Sequence, residues 1–177
     1  MTHDIWTIRR LLEWTTGFFE RKQVDSPRLS AELLLSHVLS VPRIKLYTDY
    51  DNQLAEKQLA SFRELVRRAG EHEPVAYLTE RAFFFNIELR VNRDVLIPRP
   101  ETEKIVENVV QFCRNATGFE APRILDLCTG SGCVAAALAQ NMKSAQVIAT
   151  DLSPAALAVA RGNLERLNLL DRVVLAQ

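Results

Sequence analysis

Seven consecutive residues, Asp126-Leu127-Cys128-Thr129-Gly130-Ser131-Gly132, form the part of this 177-residue sequence best suited to chemistry. They lie between a short apolar run, Ile124 to Leu127, and a helical segment that opens at Cys133. Glycine at 130 and 132 removes side-chain obstruction, so the backbone can approach a ligand closely. The helix N-terminus that follows offers unpaired N–H groups and the positive end of its dipole to an anionic group. Asp151 closes the next apolar run, 25 residues after Asp126, where a carboxylate can accept hydrogen bonds from both ribose hydroxyls of a nucleoside. Loop and acid together point to adenosine. Taken singly, each has a plainer reading: a tight strand-to-helix turn without a ligand, and a helix-entry aspartate before Ser153-Pro154. A rival use of the same residues is a dinucleotide site, because Gly130-Ser131-Gly132-Cys133-Val134-Ala135 satisfies that fingerprint with an acid 21 residues after Gly130. The extra residues before the glycines, and a carboxylate at Asp126 beside the loop, favour a cationic sulfonium ligand over a pyrophosphate. The spacing alone leaves both open.

The elements that must hold these residues follow from periodicity. From Arg123 onward short apolar runs alternate with helical segments: Ile124 to Leu127, Cys133 to Ala139, Val147 to Ala149, Ala155 to Leu167 and Val173 to Leu175. That order predicts parallel strands joined by right-handed crossovers, a doubly wound sheet with helices on both faces, and Leu157, Ala160, Leu164 and Leu167 turned toward it. Upstream, Phe83, Phe85, Ile87, Leu89 and Val91 alternate with a period of two, which predicts a strand or hairpin, with Phe84 pointing away from its neighbours. Asn92, Arg93 and Asp94 supply turn chemistry, and Pro98 and Pro100 end any ladder before a helix carrying Ile105, Val106, Val109, Val110 and Cys113. The first seventy or so residues read as helices only. Ile5, Ile8, Leu11, Leu12 and Phe19 follow helical spacing; Ser26-Pro27 reads as an N-cap opening a segment with Leu29, Leu33, Leu34 and Val38; and Leu59, Phe62, Val66 and Ala69 form a stripe closed by Gly70.

Two further stretches carry a family resemblance. Asp126 to Gly132 resembles the first S-adenosylmethionine motif of class I methyltransferases. Glu73-Pro74-Val75-Ala76-Tyr77-Leu78 and Leu96-Ile97-Pro98-Arg99-Pro100-Glu101-Thr102-Glu103 are similar to signatures of the glutamine methyltransferases that modify peptide chain release factors. The resemblance extends over the whole chain and implies an α/β fold: a small N-terminal helical bundle over residues 1–75 for substrate docking, a β-hairpin linker over 76–97, and the first half of a class I, Rossmann-like methyltransferase domain over 98–177. It implies that Cys128, Thr129, Gly130, Ser131 and Gly132 hold the methionine part of S-adenosylmethionine and Asp151 its ribose. Ile97, Pro98, Arg99, Pro100, Glu101 and Thr102 would lie at the active-site mouth; a rigid proline turn followed by a charged first helical turn is the plain alternative for that stretch. The implied partner is a release factor presenting a Gly-Gly-Gln loop. A sister group acting on a ribosomal protein shares the Pro-Val-Ala-Tyr-Leu and Cys-Thr-Gly-Ser-Gly-Cys features, and Pro100-Glu101-Thr102-Glu103 favours release factors. Cys128 departs from the release-factor branch, which more often has glycine there.

An amide nitrogen is a poor nucleophile because its lone pair is delocalised, so such an enzyme works chiefly by holding the glutamine amide in line with the donor methyl. In the resembled family an Asn-Pro-Pro-Tyr motif does this. The present sequence contains no adjacent prolines, so no catalytic residue is assigned and transfer by these residues alone is expected to be absent. The strand at Ile124 to Leu127 is expected to have an unpaired edge and partly uncovered faces, with association, instability or a missing partner fragment as the result. A non-catalytic chain that binds its partner through the helices is the other reading.

Composition narrows the remaining classes. Lysine plus arginine and aspartate plus glutamate both total 22, which gives no electrostatic reason to expect direct nucleic-acid binding. No apolar run approaches a membrane span and the N-terminus lacks a signal-like core, so a cytoplasmic location is expected. The cysteines, Cys113, Cys128 and Cys133, lack metal-site spacing and read as small buried residues; no metal is expected. His3, His37 and His72 are far apart and receive no role. Arg63, Arg67 and Arg68 form a basic stripe that reads as a solvated face paired with Glu64 and Glu71, with contact to a release factor or ribosomal RNA as the alternative.

Overall fold

The computed structural model describes residues 6–177, which form two compact units divided between Thr79 and Glu80. His3 and Ile5 lie outside the described residues. No helix among the described residues is long and apolar enough to cross a membrane.

The first unit is helical: α1 (Ile8–Arg21), α2 (Pro27–Leu39), α3 (Arg43–Thr48), α4 (Glu56–Gly70) and α5 (Val75–Thr79). Thr7 caps α1 by accepting from the Arg10 N–H, and Ile8, Leu11, Leu12, Thr15 and Phe19 bury one face. The cap expected at Ser26 is not made: Ser26 is left-handed (φ 46) and its side chain bonds no helix N–H. The Ser30 hydroxyl instead donates to the Asp25 carbonyl at 2.8 Å. Nor is Leu29 core; it is exposed, and α2 turns Ala31, Glu32, Leu34 and Leu35 inward. Glu32 enters this stripe because Arg28 (2.8 Å), Arg43 (2.6 Å) and Tyr47 all donate to its carboxylate. Burial opposes its charge, and the hydrogen bonds from Tyr47, Arg43 and Arg28 outweigh burial and hold it below the ordinary glutamate value.

On α4 the stripe Leu59, Phe62, Val66 and Ala69 is buried as its spacing requires. Gly70 ends the helix for a different reason than a left-handed cap. A Cβ there would sit 2.7 Å from the Phe18 ring, so glycine permits close approach, and the left-handed residue is His72 (φ 65). On its solvent face Arg67 pairs with Glu64 (2.7 Å) and Glu71 (2.8 Å).

The second unit opens with a hairpin, β1 (Arg81–Phe84) and β2 (Ile87–Arg90), antiparallel with Phe84 opposite Ile87. Its two-residue turn, Phe85-Asn86, has φ of 49 and 64, the doubly left-handed form that matches strand twist. Such a turn reverses parity: residues 84 and 87 share a face. Hence Phe84 is 1% exposed and packs with Ile87 and Leu89, whereas Phe83 is 65% exposed, the reverse of the outward Phe84 expected from an unbroken period of two. The hairpin's apolar residues join the core of this second unit.

The unit continues through α6 (Pro100–Asn115), β3 (Arg123–Leu127), α7 (Cys133–Asn141), β4 (Gln146–Thr150), α8 (Pro154–Arg166) and β5 (Val173–Ala176). On α6, Val106 and Val110 are buried while Ile105 is exposed. Ser153 caps α8 by accepting from the Ala156 N–H at 3.2 Å, and Pro154 opens its first turn. The three strands are parallel in the order β3-β4-β5. One face is covered: Val147, Ala149 and Val173 pack with the all-buried run Ala135 to Ala139 of α7 and with Leu164 of α8. The other face carries Leu125, Leu127, Ile148 and Val174, all exposed. Helices on both faces were the expectation; among the described residues they cover one, because each crossover steps the same way across the sheet and so lands on the same side. β3 is an edge strand, paired among the described residues only with β4.

Candidate functional site

Asp126, the penultimate residue of β3, lies opposite Ala149, and Leu127 ends the strand opposite Thr150, so the loop after β3 and the loop after β4 emerge side by side at the carboxyl end of the sheet. Between them runs a short hydrogen-bonded relay. The Thr129 N–H donates to the Thr150 carbonyl at 2.8 Å, and the Thr129 hydroxyl donates to Asp126 Oδ2 at 2.6 Å. The Gly130 N–H donates to Asp151 Oδ2 at 2.9 Å, while Asp151 Oδ1 accepts from the Ser153 N–H at 3.0 Å. Asp151 therefore clamps the glycine loop to the start of α8, a positioning role that its sequence spacing did not reveal. A carboxylate has about four lone-pair sites, and these two bonds leave capacity for two more donors.

Three of the five residues Cys128 to Gly132 are left-handed: Cys128 (φ 59), Gly130 (φ 55) and Gly132 (φ 78). The two glycines meet different surroundings. A Cβ at Gly130 would touch nothing within 4 Å, so that position opens onto free space, whereas at Gly132 it would come within 3.2 Å of the Ala160 Cβ. Gly132 is thus required for contact between the loop and α8 as well as for its backbone conformation. Gly132 is also the N-cap of α7 and has no side chain to satisfy the helix's first N–H groups. Thr129 and Ser131 are buried, and the Ser131 hydroxyl lies against the Cys133 thiol. Cys128 is exposed and Cys113 half-buried, where burial was expected for both; Cys133 is buried, which pushes its thiol up toward the neutral, unreactive form.

Burial raises the Asp126 carboxyl above the ordinary aspartate value; the Thr129 hydroxyl and the Ala135 N–H oppose this, and the nearby Asp151 charge adds to it. The result is a carboxylate that gains from a cation beside it. No group of His, Cys, Asp and Glu able to hold a metal ion occurs among the described residues.

Sequence reasoning missed Asn163. It is buried on α8, where its amide donates to the Ser131 carbonyl (2.9 Å) and the Arg90 carbonyl (2.9 Å) and accepts from the Arg90 N–H (2.7 Å). It ties the end of the hairpin to the glycine loop. Its signal was available: the buried stripe of α8 is Ala156, Ala160, Asn163 and Leu164, with Leu157 and Leu167 only at its margins, and a polar residue in such a stripe must find partners. Glu103 was noted only as part of a signature; its Oε1 accepts from the Phe85 N–H at 2.9 Å and pins the hairpin turn to α6.

The stretch Ile97 to Thr102 is placed before and at the start of α6, with Arg99 as the N-cap and Ile97, Pro98 and Thr102 half-buried. Among the described residues no hydrogen bond or ion pair joins it to the glycine loop or to Asp151. The structure brings together Asp126, Cys128 to Gly132 and Asp151.

Comparison with known proteins adds relatives. Residues 10–79 match the PrmC N-terminal domain and residues 124–177 match a methyltransferase domain. A release factor glutamine methyltransferase of Rhodopirellula baltica is 49% identical over 173 residues, 97% of this chain and 58% of that protein. This chain is a relative of the release factor glutamine methyltransferases. A second, from Chlorobaculum tepidum, is 42% identical over 172 residues, again 58% of its own length, and a bifunctional methyltransferase of Rickettsia typhi is 33% identical over 35% of its length. The chain thus spans a little over half the length of its release-factor relatives. Among solved structures, the human methyltransferase 10 domain containing protein is similar over 52% of this chain and 42% of that one, with a TM-score of 0.44 and 21% identity.

Proposed function

We propose that this chain provides the S-adenosylmethionine site and the helical docking unit of an enzyme that methylates the side-chain amide nitrogen of glutamine in the Gly-Gly-Gln motif of a peptide chain release factor, in the cytoplasm. One observation carries the donor reading. Asp151 is hydrogen-bonded to Gly130, so the acid suited to a ribose and the loop suited to a carboxylate occupy one place at the carboxyl end of parallel strands. The residues fit the group: open space at Gly130 and an α7 N-terminus without a side-chain cap provide room and donors.

When bound, S-adenosylmethionine supplies the methyl group from its sulfonium centre. In this reading Cys128 to Gly132 orient the methionine part by backbone N–H groups. Asp126 favours the cationic charge, and Asp151 accepts from the ribose with the lone pairs that Gly130 and Ser153 leave free. Ile97 to Thr102 would border the mouth of the site. The groups that hold the glutamine amide in line are not among residues 1–177, so these residues alone bind the donor and do not transfer the methyl group.

Calorimetric titration of the 177-residue chain with S-adenosylmethionine tests the first step. Saturable binding, lost in Asp151→Ala with an unchanged circular dichroism spectrum, is expected; a folded chain without binding would overturn the donor reading. For the substrate, the chain extended at its C-terminus with the remaining portion of the Rhodopirellula baltica relative is incubated with labelled donor. Label is expected in a release factor and absent when its Gly-Gly-Gln glutamine is replaced; label in a ribosomal protein instead would overturn the release-factor assignment.

A further inference from the structure

The helical unit contains a groove between α1 and α4 that the donor chemistry does not use. It encloses about 290 Å³ over a floor of Leu11, Phe62 and Val66, all buried. Its wall is aromatic. Trp14 stacks on Phe18 with centroids 5.4 Å apart and planes 7° from parallel, and Trp6 stands edge-on to Trp14 at 6.4 Å. Trp14 remains 50% exposed, so a large aromatic face is left to water in the free unit. A groove of this size has room for a large apolar side chain.

The rim decides what kind of chain brings that side chain. Arg63 and Arg67 line the groove, and no carboxylate among the described residues does. Arg67 is already engaged by Glu64 and Glu71, while Arg63 is exposed with no ion-pair partner among the described residues. The guanidinium of Arg10 lies 4.9 Å over the Trp6 ring at the same aromatic wall. The groove therefore combines an apolar socket with one cation, Arg63, that no carboxylate among the described residues pairs. Buried aromatic residues next to an arginine are the combination that supplies most of the energy at protein interfaces.

We infer that this groove is a peptide-binding site for an acidic segment of a partner protein that presents one large apolar side chain. The side chain fills the socket over Leu11, Phe62 and Val66, and a flanking carboxylate pairs with Arg63. Charge complementarity selects the occupant: a basic segment would meet Arg63 unscreened, and a purely apolar one would leave it without a partner.

Both tryptophans of the chain line the groove, so their emission reads its occupancy directly. The probes are two capped hexapeptides of sequence Asp-Asp-Phe-Leu-Asp-Asp and Lys-Lys-Phe-Leu-Lys-Lys, titrated into the 177-residue chain. The acidic peptide is expected to change the emission saturably, with the lysine peptide about tenfold weaker or worse. Arg63→Glu, an exposed substitution whose folding is checked by circular dichroism, is expected to reverse that order. No saturable change up to millimolar acidic peptide, equal binding of the two peptides, or acidic-peptide binding undiminished in Arg63→Glu would each overturn the proposal. S-adenosylmethionine titrations report on the other unit, so failure of the donor reading and failure of this one are separately visible.

Discussion

Asp126 is the residue whose environment is most at odds with its charge. Burial holds its carboxyl above the ordinary aspartate range, so the folded chain is favoured while Asp126 is protonated, and that contribution is lost as pH rises through its folded value. Asp126→Asn stays neutral throughout. The variant is expected to exceed the parent chain in thermal stability at about pH 7 and to approach it at about pH 4, a convergence that thermal unfolding at the two conditions checks. A gap independent of pH would show that packing, not ionisation, sets the difference. The two glycines of the loop make a second comparison. Both are left-handed, which costs an alanine about 1–2 kcal/mol, but only at Gly132 does the new methyl meet another residue, Ala160. Denaturant titration is expected to rank Gly132→Ala as clearly more destabilising than Gly130→Ala, while Gly130→Ala fills the space proposed for the donor. At this scale the sequence announced the glycines, the two acids and their spacing. The clamp from Asp151 to Gly130 was illegible, because it depends on two loops from different strands ending at one level.

Elements were readable wherever one periodicity ran uninterrupted. The stripes of α1 and α4 and the alternation of strands and helices after Arg123 followed directly from apolar spacing. Errors arose where a local detail reset the pattern. A two-residue turn at Phe85-Asn86 reverses the facing of everything beyond it, so a single period drawn through Phe83 to Val91 put Phe84 on the wrong side. Ser26 has the right type and position for a cap, but its backbone is left-handed and its side chain makes no cap hydrogen bond. Asn163 is the strongest test of how elements are joined, since one side chain holds a helix, a hairpin end and the glycine loop. Asn163→Ala leaves the buried Ser131 carbonyl and the part-buried backbone groups of Arg90 without these partners and is expected to cost about 2–4 kcal/mol. Urea titration followed by circular dichroism measures that loss, and a cost below about 1 kcal/mol would mean that water replaces the amide without penalty.

At the largest scale, one face of the sheet is left uncovered among the described residues. Leu125, Leu127, Ile148 and Val174 form an exposed apolar surface beside the open edge of β3, a combination that favours association. Sedimentation is expected to reveal self-association of the 177-residue chain that Ile148→Lys reduces. Hydrogen exchange is expected to find alternate amides of β3 poorly protected in the monomer, and strong protection on both edges would contradict an open strand. Length and composition alone indicated neither feature; the expectation came from counting strands. The placement of Trp6 and Trp14, both before Thr79, has an optical consequence. Tryptophan emission follows the melting of the helical unit alone, whereas far-ultraviolet dichroism sums both units. Superimposable transitions from the two signals would mean that the units unfold as one cooperative body; separated midpoints would assign the tryptophan-detected step to the helices and the remainder to the sheet.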